Sequence, residues 1–149
     1  MMKALIRTAG TAGLALLLSG AASADEVWTT EIGEVVYDHE TEDGHAVLTY
    51  PIEGSDVLGI GYIAGLAGVY ENRSAYTGIW IEPDGTGSPA CQYAITDPET
   101  GEPRQTWGQV EMIFVDPDFP GSWVIKRGYC FEPVSEFLVG KPVTADGAE

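Results

Sequence analysis

A chain of 149 residues with 7 basic and 23 acidic side chains carries a formal charge of −16. Such a surface repels nucleic acid and anionic membranes, so neither is expected as a partner. Hydrophobic residues make up 44% of the chain, enough for one domain with its own core.

Residues 1–24 read as a cleaved secretory signal peptide. Lys3 and Arg7 form its basic start, Ala9 to Leu18 its apolar segment, and Ala22-Ser23-Ala24 its small-residue cleavage site. The apolar run is shorter than the ~20 residues a bilayer span requires, and no cysteine follows Leu18-Ser19-Gly20 to carry a lipid. The expectation is an exported bacterial protein, periplasmic or secreted, with no membrane insertion after cleavage. Losing Lys3 and Arg7 takes the charge from −16 to −18. That balance suits a cationic protein partner or divalent cations, or serves solubility alone.

The rest is read as one all-β domain over 25–140 and a flexible acidic tail over 141–149. Glycine and proline recur at short intervals, and no segment sustains a 3.6-residue period. Instead, short runs rich in Val, Ile, Tyr, Trp and Thr alternate with turn signals. Glu26 to Tyr37 holds one or two strands broken near Gly33. An acidic loop, Asp38 to Gly44, precedes a strand from His45 to Ile52, in which Ala46, Leu48 and Tyr50 share a face.

Val57 to Glu82 is the longest apolar run after the leader, and it reads as a β-hairpin turning at Glu71-Asn72-Arg73-Ser74. Its glycines at 59, 61, 65 and 68 make a helix costly, at about 1 kcal/mol each relative to alanine. A two- or four-residue turn would set Gly65 opposite Trp80 and Ala67 opposite Gly78, leaving room for the indole. A turn-rich connection, Glu82 to Pro89, leads to a short strand from Cys91 to Thr96 and a polar loop from Asp97 to Arg104. Thr106 to Asp116 is a strand, with Val110, Met112 and Phe114 on one face and Trp107, Gln109, Glu111 and Ile113 on the other. Its hairpin partner is Ser122 to Cys130, with Trp123, Ile125, Arg127 and Tyr129 on one side. A last short strand surrounds Phe137-Leu138-Val139.

These segments make an antiparallel meander of about eight strands, either a small up-and-down barrel of calycin- or avidin-like architecture or a two-sheet sandwich. Cys91 and Cys130 are too far apart for a CxxC redox pair, and an even count in an exported chain predicts one disulfide.

Three groups of residues could form a site. Asp38, Glu40, Glu42 and Asp43, with His39 and His45, could hold a divalent cation, although EF-hand spacing is absent and a solvated hairpin loop has the same composition. Asp116-Pro117-Asp118 could chelate calcium, or simply open a turn. Trp80, Trp107, Glu111, Trp123, Arg127 and Tyr129 could surround a small molecule, with Glu111 and Arg127 as polar groups in an aromatic cavity. Alternation alone does not say which face of the 106–130 hairpin is inside, because both carry large apolar residues.

No GxSxG, HExxH or phosphate-binding glycine loop is present, and no cofactor motif. The function expected is therefore the binding of an unknown small molecule without catalysis. The alternatives are a protein-interaction module, such as an inhibitor or envelope-associated factor, and an enzyme using a carboxylate such as Glu111, its pKa raised by burial.

Overall fold

The computed structural model describes residues 26–67, 75–116 and 121–143. It holds ten strands: β1 (Val27–Thr30), β2 (Gly33–Glu40), β3 (His45–Tyr50), β4 (Gly59–Ala64), β5 (Ala75–Ile81), β6 (Ile95–Thr96), β7 (Pro103–Arg104), β8 (Trp107–Phe114), β9 (Trp123–Arg127) and β10 (Glu136–Pro142). Eight of them close into one antiparallel barrel in the order β1-β2-β3-β4-β5-β8-β9-β10, with β10 returning to β1. Of the two expected architectures, the closed barrel is the one adopted, with β1 and β10 paired at Trp28–Pro142 and Thr29–Lys141 to complete the ring. Between β5 and β8 the chain makes an excursion over residues 82–106, which carries the small β6–β7 sheet.

Several elements differ from the sequence reading. β2 runs through the acidic stretch as far as Glu40, because a bulge at Asp38 re-registers it: Tyr37 pairs with Leu48, but His39 pairs with Val47. The segment from Cys91 to Ala94 is not a strand, and β7 lies in what read as loop. The domain does not end at residue 140. Lys141 pairs with Thr29 and Pro142 with Trp28, and the Val143 N–H donates to the Val27 carbonyl at 2.8 Å. What read as the start of a tail is the seam that closes the ring. The leader, the turn at 71–74, Pro117 and Asp118, and residues 144–149 lie outside the described residues.

Trp80 does sit opposite a glycine, but it is Gly61 rather than Gly65, and Gly78 faces Ile63 rather than Ala67. The shift preserves the face and changes the level in the barrel. Packing fixes it. The inward rings lie flat on cross-strand glycines, where a Cβ would collide: 2.2 Å from the Tyr50 ring at Gly59, 2.5 Å from the Trp80 indole at Gly108 and 2.3 Å from the Trp123 indole at Gly140.

The wall is apolar on both sides. Inside lie Trp28, Val35, Leu48, Ile63, Trp80, Val110, Met112, Trp123 and Ile125. Outside, Val47, Tyr62, Ile81 and Trp107 form a second core with Cys91 under the excursion. The Cys91–Cys130 disulfide, with its Cα atoms 5.5 Å apart, ties the excursion to the chain just beyond β9. Such a bridge belongs to an oxidising, extracellular-type environment.

Candidate ligand-binding site

The barrel interior is filled at one end and unfilled at the other. At the filled end, Trp28 and Trp123 meet edge to face at 5.9 Å and Tyr76 and Phe114 at 6.1 Å. The Trp28 indole N–H donates to the Gly121 carbonyl at 2.8 Å. The opposite half encloses a cavity of about 400 Å³. Inward residues of successive strands supply its walls: Val35, Leu48, Ile63, Val110, Ile125 and Leu138, with Trp80 beside Gly61. Strand alternation brings these side chains to one surface, because residues two apart share a face.

The mouth is polar and built around Arg127, the last residue of β9. Its Nε donates to Glu136 Oε2 at 2.8 Å and its Nη1 to Glu82 Oε1 at 3.2 Å. The guanidinium lies 5.2 Å from the Trp80 ring, 5.8 Å from Tyr129 and 5.9 Å from Tyr50, within cation–π range of all three. Glu82 is 3% exposed, and it also accepts from Tyr50 Oη at 3.0 Å and from Ser88 Oγ. Tyr129 Oη donates to Glu136 Oε1 at 3.0 Å. Burial, reinforced by the charge on Glu82, pushes the Tyr50 phenol well above its ordinary range, so it stays a neutral donor. The Trp80 indole N–H is satisfied by the Gly128 carbonyl at 2.9 Å. A vestibule of about 750 Å³ continues outward past Ile52, Thr86 and Ser88.

Of the residues expected to form the site, the structure brings Trp80 and Arg127 to the cavity and sets Tyr129 against both. Trp123 points inward but lies in the filled end. Trp107 and Glu111 are misplaced in that reading, because β8 pairs with β9 through Val110–Arg127, Glu111–Lys126 and Phe114–Trp123. Directly paired residues share a face, so Arg127 faces inward with Val110, while Glu111 faces outward with Lys126, 3.3 Å away. Trp107 belongs to the outer core. It donates to the Tyr93 carbonyl at 2.8 Å and meets Phe131 edge to face at 5.0 Å. Glu111 therefore cannot act on anything held in the cavity.

Tyr50, Gly61, Glu82 and Glu136 complete the site without any motif to mark them. The available signal was parity: Glu82 shares the face of Trp80, and Tyr50 that of Leu48.

The candidate cation site is likewise not assembled. Among the described residues no group of three or more His, Cys, Asp or Glu side chains is placed to hold a metal ion. The bulge divides the acidic stretch. Glu40 accepts from Tyr37 Oη at 2.8 Å, while Asp43 turns back to Thr41 Oγ1 and to His45 Nδ1, 3.1 Å away. Glu42 is exposed. Asp38 instead engages His39 Nδ1 at 2.7 Å, and Glu99 of the excursion engages His39 Nε2 at 2.6 Å. Two carboxylates on the two ring nitrogens favour the imidazolium. These bonds, to Glu99 first and then Asp38, raise the His39 pKa. Asp116 Oδ2 accepts from the Ser122 N–H at 2.9 Å.

The same network holds the excursion down. Tyr62 Oη donates to Asp97 and Glu99 at 3.1 and 3.2 Å, and Arg104 Nε donates to Asp97 at 3.1 Å. Burial alone would raise the Asp97 pKa, but the Thr100 and Glu99 N–H groups, Arg104 and Tyr62 outweigh it and hold the carboxyl below its usual range. The wall away from the excursion carries an apolar row by strand register, exposed Val139 and Ile113 on either side of a half-buried Val124, flanked by Phe137, Lys126 and Lys141.

Comparison with known protein families, with curated proteins and with solved structures finds no match for this chain.

Proposed function

We propose that the protein is an exported binding protein, periplasmic or secreted, that holds a small apolar molecule in the barrel without transforming it. The observation that carries this reading is the unfilled half of the barrel. An eight-stranded barrel is just wide enough for side chains to fill it or for one small ligand to occupy it. Here the aromatic plug stops halfway, and the remaining volume of about 400 Å³ falls in the range of about 300–1,000 Å³ common for small-molecule sites. Walls built mainly of Val, Leu, Ile and Trp side chains give the ligand an apolar body, and the hydrogen-bonded collar at Arg127 gives it an oriented end. The ionisable groups of that collar are committed to one another, which supports binding over catalysis.

The test is a thermal-shift and tryptophan-fluorescence titration with apolar ligands of graded length. A ligand at 100 times its Kd stabilises by about 2.7 kcal/mol, and Trp80 reports its arrival. If ligands that fit the cavity leave both signals unchanged, the reading is wrong.

The alternative, a protein-interaction module, draws support from the outer apolar row, in which Val139 and Ile113 are exposed beside half-buried Val124. Lys141 at its edge suits a partner surface bearing a carboxylate rather than the cationic protein that the overall charge favours, while Lys126 is met by Glu111. Under that reading Val139→Glu abolishes partner capture, and Trp80→Ala leaves it intact.

A further inference from the structure

The polar end of the ligand can be narrowed further. This step rests on the cavity reading above. Arg127 is the cation an acidic ligand would be expected to seek, yet its charge is already met twice, by Glu82 and Glu136. Glu82 is buried and held by Tyr50 and Ser88 as well, so it cannot swing away to free the guanidinium. Two further carboxylates stand at the same mouth: Glu31 borders the cavity and the vestibule, and Glu53 borders the vestibule. The other described Arg and Lys side chains point elsewhere. Arg104 serves Asp97 in the excursion, Lys126 serves Glu111 on the outer wall, and Lys141 lies on the outer face of β10. The apolar cavity therefore opens through a neck that is net negative even with Arg127 in place.

We infer that the cavity takes apolar amines: molecules with a hydrocarbon body that fills the space beside Trp80 and a protonated amine that stays at the neck among Glu31, Glu136 and the Tyr50 and Tyr129 rings. A carboxylate at the same place must displace Glu136 from Arg127 and face Glu31 and Glu53. An alcohol of the same length gains the hydrocarbon burial and little else. The carboxylates thus sort ligands by the charge on one end, while the cavity binds them by the other.

The experiment compares octylammonium, octanol and octanoate at neutral pH and low salt, by isothermal titration and Trp80 fluorescence, on the mature protein. The chains are matched, so the difference reads the end group alone. The expected order is octylammonium tighter than octanol, and octanol tighter than octanoate, with the outer two separated about tenfold or more. Added salt narrows that gap, since part of the field at the neck is screened. Glu31→Gln, at an exposed position, weakens octylammonium and leaves octanol unchanged. Octanoate binding as tightly as octylammonium overturns the inference and leaves the cavity reading standing. Equal binding of octanol and octylammonium also overturns it, because the carboxylates then contribute nothing. Binding by none of the three overturns both.

Discussion

Gly61 gives the most direct access to the cavity. It points inward from β4 between Leu48 and Trp80, and a Cβ built on it meets nothing closer than 3.8 Å, the distance to Leu48 Cβ. Its backbone is not in the left-handed region, so a side chain is tolerated there. Gly61→Val places three carbons in the unfilled space. At about 0.8 kcal/mol per buried carbon that is about 2 kcal/mol, and replacing glycine within a strand adds about 0.5–1 kcal/mol. Valine loses only about 0.5 kcal/mol of side-chain entropy on burial, so the expected net change is about 2.5–3 kcal/mol of stabilisation. Urea unfolding with an unchanged m-value reads it. The same variant should lose affinity for every cavity ligand at least about tenfold, since the lost volume is the volume the ligand would occupy. Gly108 is the control, because a Cβ there lies 1.8 Å from the Gly128 carbonyl oxygen and 2.5 Å from the Trp80 indole; Gly108→Val should unfold the barrel or express insoluble. If Gly61→Val destabilises the protein, or leaves ligand affinity intact, the space beside Trp80 is not the site.

Arg127→Met removes the partner of a carboxylate that is 3% exposed, and should cost about 3 kcal/mol or more, with much of the loss recovered when Glu82→Gln is added; chemical denaturation of the single and double variants reads both. Replacing Cys91 and Cys130 by serine opens a closure of sequence separation 39, worth about 4 kcal/mol in the chain-entropy model, and hydrogen exchange should accelerate first in the excursion and the outer core. The excursion's attachment should also depend on pH. The depressed pKa of Asp97 gives a contribution present above its unfolded value of about 3.9 and lost as pH falls through the folded one, while the raised pKa of His39 gives one present below about 6.5 and lost as pH rises through its folded value. Melts between acid and alkaline pH should therefore be highest between those limits, with Asp97→Asn flattening the acid side and His39→Gln the alkaline side. Because His39 is largely solvent-exposed, its share should be the smaller.

The strands and the disulfide were legible because alternation and turn residues act locally. Which face of each strand points inward was not. In a barrel with one core, polar outward residues would have marked it. Here the excursion covers part of the outer wall, so Val47, Tyr62, Ile81 and Trp107 are as buried as Leu48, Ile63 and Trp80, and both parities of β3, β4, β5 and β8 read as apolar. The site inherited that ambiguity: Glu111 and Arg127 looked like one constellation until the pairing of β8 with β9 separated them. The acidic stretch misled differently. Asp38, His39 and Glu40 look like loop by composition, but a bulge lets a strand carry them with alternate contacts on both sides of the wall. Glu82 read as the end of a hairpin, and nothing local announces that a carboxylate will be buried against an arginine 45 positions later.

The seam between β1 and β10 also determines how the barrel can be attached to anything else. Val27 and Val143 lie side by side, joined by a backbone hydrogen bond, on the floor plugged by Trp28 and Trp123. The mouth at Arg127 is at the far end of the same strands. Val27 and Val143 thus stand at the end of the strands opposite the opening, so a support built onto that seam need not obstruct the mouth.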